Sequence, residues 1–138
     1  MKRLIFSNWF PPFILFFFLV LAFYRLPWTF FQQDEWRAFG AFAILEQNLG
    51  EGLGLIFLKP FGGHLIPGDF ILWYLQYKLF NLNFPPYALL SLGFHFLNSF
   101  LVYYLVLIIS RKKSLSLVVG LLFITNGIAH QATTWIST

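Results

Sequence analysis

The chain has 138 residues, of which 59% are hydrophobic and 10% charged, with 20 Phe, no Cys and a formal net charge of +4. Its mean hydropathy of +0.73 lies far from that of soluble domains and predicts an all-α membrane protein. Lack of cysteine excludes a disulfide framework and a thiolate metal site, and the nine Lys and Arg form no groove-sized basic patch, which argues against nucleic acid as a partner.

Lys2-Arg3 precede the first apolar stretch, Leu4 to Tyr24, which meets the requirement of about 20 mostly apolar residues for a span. Pro11-Pro12 interrupt its start and no Ala-x-Ala-like site follows, so the stretch reads as a retained span rather than a cleaved signal. Asp34-Glu35-Trp36 then opens a helix running to about Asn48, with Ala38, Phe42, Leu45 and Leu49 on one apolar face. Asp34 suits the N-cap and Glu35 the first turn, where a carboxylate complements the helix dipole.

Gly50-Glu51-Gly52-Leu53-Gly54 reads as a hinge. It is no phosphate loop, because the Gly-Lys-Ser/Thr ending is missing. From Lys59 to Asp69, turn formers deliver His64 and Asp69 to a second amphipathic helix over residues 69–82. That helix is too short to span. Its Trp73, Tyr74 and Tyr77 suit the headgroup region, with Lys78 snorkelling outward. After the break at Pro85-Pro86 come two further spans, Tyr87 to Ile109 and Leu115 to about Ile136. The outer half of the third carries Asn126, His130 and Gln131.

The expected architecture is therefore about three transmembrane helices, with two interfacial helices in a first extracytoplasmic loop over residues 25–86. Lys2-Arg3 and Arg111-Lys112-Lys113 should both face the cytoplasm, since cytoplasmic flanks are enriched in Lys and Arg. All five acids, Asp34, Glu35, Glu46, Glu51 and Asp69, then fall outside. This topology predicts a multi-pass protein of the inner, cytoplasmic membrane with its N-terminus in the cytoplasm and the lipid bilayer as a partner. His95 and Asn98 share one face of the second span, where polar groups serve helix packing.

The order of these features carries a resemblance: an apolar span, an acidic pair with an aromatic, a short amphipathic helix, His64-x-x-Pro67, Leu79-Phe-Asn-Leu-Asn83, then His95-x-x-Asn98. It resembles the N-terminal part of GT-C glycosyltransferases, polytopic enzymes related to protein O-mannosyltransferases and bacterial lipid-linked-sugar transferases. Related sequences often carry an Arg where this chain has Ile66 and an acid where it has Gln131. Such enzymes have many more spans, so the resemblance implies a fragment of a longer protein, inactive alone.

The resemblance implies a polyprenyl-phosphate sugar as donor, an acceptor it does not specify, and an acid in the first outer loop that serves as base or binds a divalent metal. A hydroxyl is a poor nucleophile until a carboxylate takes its proton. Adjacent helical residues point about 100° apart, so one acid works. Asp34 is the expected base and Glu35 orders a metal, water or backbone. His64, Arg37, His130 and Gln131 are the candidate substrate-binding residues, while Arg25, Lys59 and Lys78 read as interface anchors. Two other classes compete: a small scaffold or accessory subunit whose acids merely cap a helix, and a transporter, which the position of the acids in a loop disfavours.

Overall fold

A computed structural model describes residues 9–31, 33–59 and 67–126, giving for residues 33 and 34 the backbone alone. All regular structure among the described residues is helical: α1 (Phe10–Phe23), α2 (Gln33–Gln47), α3 (Leu49–Phe57), α4 (Pro67–Phe80), α5 (Phe84–Ser110) and α6 (Lys113–Ile124), with a 3-10 turn at Leu26–Trp28. Two stretches are long and apolar enough to cross a membrane, Phe10–Trp28 with 19 residues and Phe84–Ser110 with 27. The prolines that follow Phe10 and Phe84 occupy first helical turns, where the missing N–H has no intrahelical partner to lose. The third expected span is described only as α6, whose 12 residues are too few to cross by themselves.

α1, α5 and α6 pack together. α5 ends at Arg111, which takes a left-handed conformation (φ 56°) and donates its N–H to the Leu107 carbonyl at 2.9 Å. The chain thereby reverses at once, and α6 returns along α5 with Ser116, Gly120 and Ile124 buried. A Cβ at Gly120 would lie 3.2 Å from Leu15 Cδ2 and 3.3 Å from Tyr103 Cβ. Only a small residue allows this approach, the packing mode expected when lipid supplies no hydrophobic drive between helices. His95 is buried where the three helices meet: its Nε2 lies 3.1 Å from the Ile124 carbonyl, and its ring stands edge-on to Phe23 and stacks on Phe123. Because a carbonyl only accepts, Nε2 carries the proton. Asn98, expected beside it, is exposed instead. Its place is taken by Ser99, whose hydroxyl donates to the His95 carbonyl at 2.8 Å.

Among the described residues, the segment between α1 and α5 holds three α-helices rather than two. The expected glycine hinge is part of α3, because Asn48 is extended and its side chain accepts from the Glu51 N–H at 3.3 Å, capping the helix. Gly52 is needed for contact rather than motion. A Cβ there would overlap the backbone of Leu45 in α2. α4 also departs from expectation. Trp73 and Phe70 are buried, Trp73 stacks on Phe39 at 5.9 Å, and Tyr74 and Tyr77 pack against Phe42. These aromatics face α2 instead of headgroups, leaving Ile71, Leu72, Leu75 and Leu79 exposed. Lys78 is exposed and binds Glu46 Oε1 at 2.9 Å.

Aromatic contacts fasten this helix cluster to the start of α5. Phe31 meets Phe39 at 4.7 Å, Phe84 at 5.0 Å and Tyr87 at 5.2 Å, each edge-to-face. Tyr87 also donates to the Asn81 carbonyl at 2.7 Å, holding the turn in which Asn81 is left-handed (φ 50°). Offset and edge-on aromatic pairs contribute about 0.5–1.5 kcal/mol each beyond their buried area.

Candidate functional site

The acidic pair lies in the first turn of α2, which begins at Gln33. Asp34 is therefore a helical residue and not the N-cap. Its side chain lies outside the described residues, as do His64, His130 and Gln131 entirely. Glu35 is 1% exposed. It occupies the same stripe as Ala38, Phe39 and Phe42, all buried, at the i, i+3, i+4, i+7 positions of one helix face. A carboxylate so placed must be satisfied within the protein, and Glu35 is not without a partner. Arg37 and Trp36 are on the exposed side, with Trp36 against Phe30, Phe31 and Phe39.

Among the described residues no three His, Asp or Glu converge.

The structure brings Arg37 together with Lys59, which its sequence context marked only as an interface anchor. Lys59 follows α3 and, with Arg37, Gly40, Ala41 and Ile44 of α2, Leu55 of α3 and Phe70 of α4, lines a cleft of about 290 Å³. The periodic signal was present, since 37, 40, 41 and 44 fall on one face of a helix. Folding of the glycine run into α3 is what carries Lys59 there. Arg25 sits apart, its Nε donating to Tyr24 Oη at 2.8 Å. At the surface of the cluster, Lys78 is held protonated to higher pH than usual, chiefly by its hydrogen bond to Glu46 and then by that charge.

Compared with known proteins, the chain matches no family model, no curated protein and no solved structure.

Proposed function

We propose that this chain is an integral membrane module of a GT-C-type glycosyltransferase, which transfers a sugar from a polyprenyl-phosphate donor to an acceptor hydroxyl at the extracytoplasmic face. The observation that carries this reading is the acidic turn at the head of α2, within a helix cluster held by aromatic packing at one end of the two apolar helices. In this scheme Asp34 takes the acceptor proton as the glycosidic bond forms. Glu35, buried on the core face, positions the turn. His64, His130 and Gln131 are proposed contacts to donor or acceptor.

The reading predicts that Asp34→Asn abolishes transfer of sugar from a polyprenyl-phosphate donor while insertion and thermal stability stay at parental levels. General-base removal costs about 10²- to 10⁴-fold. Retained turnover would sink the base assignment. The second reading, a scaffold or accessory subunit, is favoured by the burial of Glu35 beside the apolar stripe of α2. It predicts that Glu35→Gln lowers stability and that no assay detects transfer.

A further inference from the structure

Asn98 stands one residue past the middle of α5, a helix of 27 residues that is long and apolar enough to cross a membrane. Its side chain is exposed and makes no hydrogen bond with the described residues. Acyl chains offer a carboxamide no partner, so a polar side chain at this depth takes one from another helix.

On the same face Phe94, Leu101, Leu105 and Ile108 are exposed as well. With Asn98 they follow one another at intervals of four, three, four and three residues. That alternation is the 3.5-residue repeat of a helix seam, with Asn98 at an a position. The seam points away from the rest of the protein. His95, Ser99 and Tyr103, which face α1 or α6, lie about 100° to 180° around the helix from its centre.

A second copy of the chain supplies what this face lacks. Copies of one membrane protein insert with the same orientation, so two that pair through one face do so in parallel, about a two-fold axis along the membrane normal. The Asn98 of each copy then meets that of the other at the same depth. A carboxamide donates through its NH2 and accepts through its oxygen, which makes it self-complementary across such an axis. A single Asn at an a position also fixes the register of a parallel seam.

We infer that this face of α5 pairs two copies of the chain in the bilayer, with the two Asn98 carboxamides hydrogen-bonded to each other and Phe94, Leu101, Leu105 and Ile108 packed along the seam. The pairing stands whether or not the chain is a transferase.

The test is energy transfer between donor- and acceptor-labelled full chains in phosphatidylcholine vesicles, with the dye on Glu51→Cys, over a range of protein-to-lipid ratios. Transfer should fall on dilution with lipid and rise linearly with the acceptor fraction, as a dimer requires. Asn98→Leu should weaken association about tenfold, equivalent to about 1.4 kcal/mol. Asn98→Gln keeps the carboxamide and should weaken it less, and Leu21→Ala, exposed on α1, should leave it unchanged. In the cysteine-free chain, Leu101→Cys and Leu105→Cys should crosslink between copies on oxidation with copper phenanthroline, whereas Leu21→Cys should not.

Transfer at the level of random encounter at every density overturns the dimer and leaves the face to lipid or to a helix of another protein. Association of Asn98→Leu at parental strength overturns the hydrogen-bonded pairing. Crosslinking of Leu21→Cys as fast as Leu101→Cys marks chance collision and rejects the seam, and a curved dependence on acceptor fraction shows a higher oligomer and rejects the two-fold axis. Should Asn98→Leu fail to insert, the crosslinking of Leu101→Cys and Leu105→Cys against Leu21→Cys decides the question.

Discussion

Two glycines in α3 have opposite surroundings, and their substitution separates intrinsic propensity from packing. Gly54 has open space where a Cβ would stand, whereas a Cβ at Gly52 would overlap the Leu45 backbone. Alanine in a helix interior is favoured over glycine by about 0.8–1.0 kcal/mol, so Gly54→Ala should raise the melting temperature in detergent. Gly52→Ala should lower it, because overpacking against backbone costs about 1–3 kcal/mol and outweighs the propensity gain. Equal shifts for the two variants would contradict the α2 to α3 contact. The glycine-rich pattern was visible in the sequence, but a glycine needed for close approach looks the same there as one needed for a bend. The same holds for Glu35: its spacing to Phe42 placed it on a face, and only its neighbours made that face an interior.

Helix boundaries were the more legible level. The first-turn prolines, the polar Asn83 before α5 and the basic turn after it delimit the long helix within a few residues of its observed ends. What the pattern did not resolve was orientation about each axis. α4 is apolar nearly all round, so its sequence does not say which side meets α2; the stacking of Trp73 on Phe39 decides it. For α6 the small residues Ser116 and Gly120 set the contact. Gly120→Val should prise α6 from Leu15 and Tyr103, at a cost of about 1–3 kcal/mol. The loss is read as a lower melting temperature in detergent, and unchanged melting would show that the α5 to α6 approach is looser than described.

At the scale of the molecule, the acids are confined to one end of α5. The acids Glu46, Glu51 and Asp69 belong to the helix cluster at its N-terminal end, and Arg111, Lys112 and Lys113 lie at the other, roughly 40 Å away at 1.5 Å per residue. In a bilayer this arrangement predicts that a cysteine at exposed Glu51 reacts with an impermeant maleimide from outside, and one at Lys112 only after permeabilisation. Because the chain has no cysteine, each label reports one position. Labelling of Lys112→Cys in intact cells would invert the topology and remove the proposed site from the outer face.

Composition and periodicity by themselves determined a helical chain whose acids and one basic turn are separated in sequence, and pointed to three spans, of which the described residues show two long and apolar enough to cross a membrane. They do so because a bilayer imposes length and apolarity on any segment within it. Tertiary structure alone decided that Glu35 is enclosed while Arg37 is not, that His95 rather than Asn98 meets α6, and that Lys59 comes to face Arg37 across a cleft. Helical spacing fixes which residues share a face. Which face is covered, and by what, depends on contacts between residues far apart in the chain, such as Phe39 with Trp73 and His95 with Ile124, and no local pattern records them.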